Sequence, residues 1–123
     1  MEAQRSEISP TRILVVEDSE LVRRLCADML AVGGYETTTV SRGAEALEAI
    51  KQSPNGTYQL ALVDLHLPDM HGGELSTHMG DVPVLLMSGN QRDWKHQPSS
   101  KAFIQKPFRL RQLLGVVQRT LEQ

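Results

Sequence analysis

Short apolar runs alternate along the chain with segments in which apolar residues recur every three or four positions. The runs predict five strands: Arg12 to Val16, Glu36 to Val40, Gln59 to Val63, Val84 to Met87 and Ala102 to Gln105. Strands that alternate with helical segments are typical of βα units around a mostly parallel sheet. The sequence therefore predicts an α/β fold.

Three of the intervening segments have a clear helical period. The first predicted helix runs from about Ser19 to Val32, with Leu21, Leu25 and Met29 on one stripe and Gly33-Gly34 at its end. Ser41 is expected to cap the second helix, whose inward face is formed by Ala46, Leu47 and Ile50. The closing helix carries Leu110, Leu113, Leu114, Val117 and Leu121.

Two segments have weaker helical patterns. Residues 73 to 80 provide little more than two turns at about 3.6 residues per turn. The segment from Gly89 to Ser100 contains Pro98, a serine pair and few apolar residues. We therefore expect a shortened or irregular connection between strands four and five.

Length and composition indicate one domain. The chain has 123 residues, 40% of them hydrophobic, and we assign residues 1–11 to a polar lead-in and residues 12–123 to the domain.

Charge and hydropathy argue against two kinds of partner. A net charge of -2 argues against binding to nucleic acid, and no apolar run approaches the roughly 20 residues that cross a bilayer. A single cysteine, Cys26, and a start without an apolar secretion signal predict a cytoplasmic location.

Charged residues follow three of the predicted strands. Glu17 and Asp18 follow the first, Asp64 follows the third, and Lys106 follows the fifth. Side chains at the carboxyl ends of parallel strands converge on one crevice. Three carboxylates and an ammonium group suit a divalent cation and a phosphoryl group, and without a cation their repulsion should raise at least one carboxyl pKa.

Four motifs occur in a fixed order: RILVVEDS, ALVDLHLPDMHG, PVLLMSG and FIQKPF. With these intervals the chain resembles bacterial response-regulator receiver domains over nearly its whole length. The last two motifs look most like the receivers of hybrid sensor histidine kinases. The resemblance implies a doubly wound (βα)5 flavodoxin-like sheet of order 2-1-3-4-5.

The resemblance also implies a role for each matching acidic residue. Asp64 would be the phosphoacceptor that attacks a phosphohistidine. Mg²⁺ would be held by Asp18 and Asp64 directly, by Glu17 through water and by the backbone carbonyl of His66. Such a sparse acidic cluster suits magnesium, which retains several waters.

The remaining matches concern the phosphoryl group and the switch. Lys106 would pair with the phosphoryl oxygens, and the Lys106-Pro107 bond resembles the cis peptide of the family. The Ser88 hydroxyl would move toward the phosphoryl group, and the rotamer of Phe103 would follow it. Phe103 lacks the hydroxyl or imidazole that is usual there, so one hydrogen bond is removed.

Each residue taken alone has a simpler interpretation. Asp64 and Ser88 are common turn residues, the acidic pair suits a helix start, Lys106 suits a surface and Phe103 suits a core. Their joint occurrence favours the site. Cys26 is expected to be a buried or half-buried residue without a role, and the histidines His66, His71, His78 and His96 are expected to lie at the surface. Trp94 is either a local hydrophobic plug or part of a partner-binding patch.

Three function classes remain for comparison. The first is a phosphorylatable signalling receiver, which is not an enzyme but catalyses its own phosphotransfer and dephosphorylation. The second is an aspartyl-phosphate phosphatase or phosphotransferase, which usually has a second Asp where this chain has His66. The third is a receiver-like interaction module, which a missing acidic pair or lysine would favour. A nucleotide-binding GxxxxGK loop is absent from the sequence.

We expect the receiver class. The partner would be a histidine kinase or histidine phosphotransfer protein, with no nucleic acid and no membrane contact, and the chain would be a monomer. It would act through that partner or as the receiver part of a longer protein.

Overall fold

Five parallel strands form a single sheet in the computed structural model, which describes residues 10–90, 92–93 and 102–123. The strands are β1 (Arg12–Val16), β2 (Glu36–Val40), β3 (Leu60–Asp64), β4 (Val84–Ser88) and β5 (Ala102–Gln105). They lie in the order β2-β1-β3-β4-β5, and every neighbouring pair is parallel. The predicted strand order is confirmed.

Four helices occur in the described ranges: α1 (Glu20–Val32), α2 (Gly43–Gln52), α3 (Gly72–Ser76) and α4 (Leu110–Leu121). Among them, none has the length and apolar character that spanning a membrane requires. The predicted irregular connection between β4 and β5, with Trp94, His96 and Pro98, lies mostly outside the described residues.

The core lies on both faces of the sheet because the three central strands are buried on both sides. Alternate residues of β1, β3 and β4 point to opposite faces, as the period of a strand requires. Cys26 and Leu30 of α1 pack on one face with Leu113 and Val117 of α4. Helices α2 and α3 cover the other face. The fold is therefore a three-layer sandwich.

The apolar stripe of Leu21, Leu25 and Met29 on α1 does not coincide with the inward face of the helix. Leu21 is 69% exposed and Leu25 is 47% exposed, whereas Cys26 and Leu30 are buried. The true inward face is rotated by one position along the helix, about 100° around its axis. Periodicity alone could not choose between two adjacent stripes that both carry apolar residues.

The predicted Ser41 cap of the second helix is also wrong. Helix α2 begins at Gly43, and the Ser41 hydroxyl donates to Glu45 at 3.0 Å instead of accepting from the helix backbone. The Asp69 carboxylate accepts from the N–H groups of Gly43 and Ala44, each at 2.9 Å. A residue 26 positions away thus caps this helix and ties the loop after β3 to it.

Three other boundaries differ from the sequence predictions. Strand β3 is shifted forward by one residue and includes Asp64, which is paired with Met87 in the ladder. Strand β4 extends to Ser88, one residue beyond the predicted end. Helix α3 has five residues, fewer than residues 73–80 allow. Each difference lies at an element end, where local sequence signals are weakest.

The loop after β3 turns back closely on the strand at Gly72. The Gly72 N–H donates to the Leu65 carbonyl at 2.7 Å. A Cβ atom at this position would lie 2.3 Å from the Asp64 carbonyl oxygen. Glycine is therefore required by a close approach of two backbone segments.

We expect Gly72→Ala to lower the free energy of unfolding by about 2–3 kcal/mol, because backbone rather than a flexible side chain must move. Gly115→Ala is the matched control, since its Cβ would meet only the Arg119 guanidinium, at 3.6 Å. Ala is a better helix former, so this control should stabilise by about 0.5–1 kcal/mol. Urea unfolding measures both values, and equal effects would contradict the steric argument.

Candidate functional site

Three carboxylates converge at the carboxyl edge of the sheet. Glu17 and Asp18 directly follow β1, and Asp64 is the last residue of the neighbouring strand β3. One oxygen from each side chain lies within 4.8 Å of the others. Glu17 is 1% exposed and Asp64 is 5% exposed, whereas Asp18 faces solvent. The sequence prediction that these groups share a small volume is confirmed.

Lys106 brings a positive charge to this cluster from the end of β5. Its Nζ lies 2.9 Å from Glu17 Oε1 and 3.4 Å from Asp64 Oδ1. Its backbone N–H donates to the Ser88 carbonyl at 2.9 Å, and the Lys106-Pro107 bond is cis, as the resemblance implies. Burial acts to lower the Lys106 pKa, but the Glu17 hydrogen bond and the two carboxylate charges outweigh it and raise the pKa.

Glu17 uses both of its carboxylate oxygens in this arrangement. Oε1 accepts from Lys106, and Oε2 accepts from the Ser19 backbone N–H at 2.9 Å. Burial nevertheless raises the Glu17 pKa, and the charge of Asp64 adds to the rise. The predicted rise of a carboxyl pKa is confirmed, but its largest cause is desolvation rather than repulsion.

The charge balance of the cluster suits a divalent cation. Lys106 offsets one of three negative charges, so the cluster keeps an excess of negative charge. Both Glu17 oxygens are occupied, whereas Asp18 is exposed. Few carboxylates at a solvent-facing position match the preference of Mg²⁺ for oxygen ligands and retained waters. The residues present therefore fit a hard divalent ion.

Ser88 ends β4 beside the same edge and is fully buried. Its hydroxyl donates to Asp93 Oδ2 at 2.5 Å and accepts from the Asn90 N–H at 3.0 Å. The same Asp93 oxygen contacts His66 Nε2 at 2.8 Å. The Ser88 hydrogen bond, followed by the His66 contact, lowers the Asp93 pKa although burial opposes the change. Asp93 thus joins the end of β4 to the loop after β3.

The other residues singled out in the sequence lie apart from the cluster or serve the fold. Phe103 is half-buried and packs on the sheet face that α2 and α3 cover. Cys26 is buried as predicted, and burial raises its pKa to about 12. His71 is exposed, and its Nδ1 accepts from the Gly73 N–H at 3.0 Å to cap α3.

Two residues near the site were missed by the sequence analysis. Arg23 Nη1 donates to the Glu17 carbonyl at 2.9 Å and to the Asp18 carbonyl at 3.4 Å, which fixes the acidic turn to α1. Asp93 contacts Ser88 and His66. Arg23 lies within a helical pattern and Asp93 within an irregular segment, so neither carried a local signal.

The family model for the response regulator receiver domain matches residues 13–118. This range includes both acidic residues after β1, Asp64 and Lys106. The chain therefore belongs to the response regulator receiver domain family, whose members are signalling proteins.

Individual relatives agree with this assignment. The two-component response regulator ARR11 of Arabidopsis thaliana is 32% identical over 127 residues, which cover 96% of this chain and 24% of that protein. The response regulator receiver protein CpdR of Brucella abortus is 29% identical over 118 residues, which cover 89% of the chain and 96% of CpdR. This chain thus spans about a quarter of the plant regulator and nearly all of CpdR.

A solved structure of a hybrid kinase receiver is also similar. The receiver domain of the hybrid histidine kinase CckA is 31% identical and superposes with a TM-score of 0.76. The match covers 89% of this chain and 98% of that structure. The similarity to receivers of hybrid kinases, first indicated by the LLMSG and FIQKPF motifs, therefore extends to the fold.

We expect Glu17→Gln to raise the free energy of unfolding of the metal-free protein at pH 7, because glutamine has no charge to bury. A raised Glu17 pKa means that the folded state binds more protons than the unfolded state above pH 4.5. Stability is therefore lost as pH rises from 4.5 through the folded pKa, and glutamine avoids this loss. The difference between variant and wild type should disappear below pH 4.5.

Urea unfolding between pH 4 and pH 8 in a chelator measures the effect. Glu48→Gln, on the exposed side of α2, is the control and should change stability by less than about 0.5 kcal/mol at every pH. A variant that is less stable than wild type at pH 7 would show that the buried Glu17 charge is favourable on balance.

Proposed function

We propose that this chain is the phosphoacceptor receiver domain of a two-component phosphorelay and that Asp64 takes the phosphoryl group. The observation that carries the proposal is the placement of the buried Asp64 carboxylate, which lies beside two further carboxylates and 3.4 Å from an ammonium group. An anionic nucleophile, a cation site and a fixed ammonium group are the parts that phosphoryl transfer requires.

The proposed reaction is a displacement at phosphorus. An Asp64 carboxylate oxygen attacks the phosphorus of a phosphohistidine, a P–O bond forms, and the P–N bond breaks. The imidazole leaves with the electron pair and takes up a proton. Later attack by water on the acyl phosphate releases inorganic phosphate and restores the carboxylate, so the chain returns to its starting state.

Glu17, Asp18, Asp64 and the backbone carbonyl of His66 would hold Mg²⁺. Bound magnesium neutralises charge on the phosphoryl oxygens. Among the described residues nothing hydrogen-bonds to the exposed Asp18 carboxylate, whereas both Glu17 oxygens already accept hydrogen bonds, so Asp18 is the more available ligand. This supports a direct role for Asp18 and an indirect role for Glu17.

Lys106 and Ser88 would stabilise the phosphorylated state. The Lys106 ammonium already contacts Asp64 and would form a charge-assisted hydrogen bond with a phosphoryl oxygen. The Ser88 hydroxyl would donate a hydrogen bond to another phosphoryl oxygen. The rotamer of Phe103, on β5, would change when the Ser88 hydroxyl moves. The protein surface beside Phe103 would then change its affinity for partners.

Two other classes fit the site less well. An aspartyl phosphatase usually has a second carboxylate two residues after the nucleophile, but here His66 occupies the position and contacts Asp93. An interaction module that is never phosphorylated would have no need for a half-buried lysine held against two carboxylates. The aspartyl phosphatase class nevertheless shares the covalent chemistry and remains an alternative that turnover assays distinguish.

The partner would be a histidine kinase or a histidine phosphotransfer protein that docks on α1. Leu21 and Leu25 are exposed one turn apart on this helix. A groove beside them is lined by Val22, Leu25, Met29, Pro107 and Phe108 and reaches Lys106. A helix that carries the phosphohistidine could bury these apolar side chains while its imidazole faces Asp64. We expect the free chain to be a monomer.

Phosphorylation of Asp64 should appear as a mass gain of one phosphoryl group after incubation with a small phosphodonor and Mg²⁺. Asp64→Asn removes the nucleophile and should abolish the gain, and chelation of magnesium should do the same. Intact-mass spectrometry measures the outcome. Asp81→Asn is the control, because Asp81 is exposed and precedes β4, at the amino ends of the strands. A gain that persists in Asp64→Asn would reject the site.

Docking on α1 should be sensitive to Leu25. We expect Leu25→Ser to slow phosphotransfer from the cognate histidine-containing partner by about tenfold, because a buried apolar contact is worth about 1.4 kcal/mol or more at an interface. Phosphorylation by the small donor should be unchanged, since Leu25 lies on α1 and is not one of the charged groups of the cluster.

Val32→Ser is the matched control, since Val32 is exposed on the same helix at its far end. The partner is identified first, by measuring the rate of phosphotransfer to the wild-type chain from each kinase and phosphotransfer protein of the source organism. Equal rates for wild type and Leu25→Ser with that partner would place docking elsewhere.

A further inference from the structure

Ser88 has one hydroxyl proton, and in this structure that proton is already used. The hydroxyl donates to Asp93 Oδ2 at 2.5 Å, and its lone pair accepts from the Asn90 N–H at 3.0 Å. A serine hydroxyl is a single donor. The Ser88 hydroxyl therefore cannot donate to Asp93 and to a phosphoryl oxygen at the same time.

The Ser88 backbone is fixed on its strand, so only the hydroxyl is free to rotate. Ser88 pairs with Gln105 in the ladder between β4 and β5, and its carbonyl accepts from the Lys106 N–H at 2.9 Å. The side chain is fully buried. A change of partner for Ser88 is therefore a rotation of the hydroxyl between acceptors and not a movement of the strand.

Asp93 is a strong competitor for that proton because its carboxylate is itself held in place. The oxygen that accepts from Ser88 also contacts His66 Nε2 at 2.8 Å. Hydrogen bonds to a carboxylate are roughly twice as strong as those between neutral groups. His66 lies two residues after Asp64, so Asp93 links the hydroxyl on β4 to the loop that carries the phosphoacceptor strand.

We propose that Asp93 is a positioning residue that holds the Ser88 hydroxyl proton in the unphosphorylated protein and competes for it with the phosphoryl group on Asp64. This inference rests on the proposed function of Asp64 and Ser88. Phosphorylation breaks the Ser88–Asp93 hydrogen bond, and Asp93 keeps its contact with His66. The stability of the phosphorylated conformation is therefore set partly by a residue outside the phosphoryl-binding cluster.

The test uses beryllium trifluoride with Mg²⁺ as a stable mimic of the phosphoryl group, and calorimetry gives its affinity for the full chain. We expect Asp93→Asn and Asp93→Ala to bind the mimic about threefold to tenfold more tightly than wild type, because the charged competitor for the hydroxyl is removed. Asp81→Asn, which removes an exposed carboxylate elsewhere, should leave the affinity unchanged.

A double-mutant cycle with Ser88→Ala separates positioning from simple charge repulsion. If Asp93 acts through the hydroxyl, the gain from Asp93→Asn disappears in the Ser88→Ala background. A gain that persists without the hydroxyl would overturn the inference in favour of repulsion between Asp93 and the mimic. Unchanged or weaker binding in both Asp93 variants would also overturn it.

The same experiment distinguishes this inference from the proposed function. Wild-type binding that is lost in Asp64→Asn supports the phosphoacceptor role whatever the Asp93 variants do. Wild-type binding that is absent, or that is equally strong in Asp64→Asn, would reject the phosphoacceptor site and the role of Asp93 with it.

Discussion

The contact of Lys106 with Glu17 and Asp64 is the interaction on which the carboxyl edge of the sheet depends. It joins residues 89 positions apart and brings β1, β3 and β5 into one electrostatic unit. Two buried carboxylates without this ammonium group would be costly, because a buried charge needs a partner. Lys106 is therefore needed before any phosphoryl chemistry, simply to let the acidic side chains remain close together.

The loops at this edge are held by hydrogen bonds that cross between elements. Asp69 caps α2 from the loop after β3, Arg23 holds the carbonyls of the acidic turn, and the Gly72 backbone closes against Leu65. None of these three contacts uses a carboxylate of the acidic cluster or the Lys106 ammonium group. Together they fix the direction in which Asp64 and its neighbours point, which is the usual role of the residues that surround a reactive group.

The sequence predicted the parts of the molecule that depend on burial and topology. The bounds of β1, β2 and β5 agree with the predictions, and the acidic pair, Asp64 and Lys106 meet because parallel strands share a carboxyl edge. The inward face of α1 could not be predicted, since both Leu25 and Cys26 lie on apolar stripes. Asp69 contacts Gly43, 26 positions earlier in the chain. Asp93 contacts Ser88, 5 positions earlier, and His66, 27 positions earlier. The local sequence pattern carries no signal for such contacts.

The excess negative charge of the site links the stability of the fold to its proposed chemistry. Burial raises the Glu17 pKa even with Lys106 in contact, so the metal-free folded state carries an electrostatic penalty near neutral pH. A cation that binds only the folded state removes part of that penalty and stabilises the fold by mass action. A neutral cluster would fold more easily but would lose the attraction for the cation. On the proposed function, the same negative charge that weakens the metal-free fold would attract a divalent ion and, through it, a phosphoryl group.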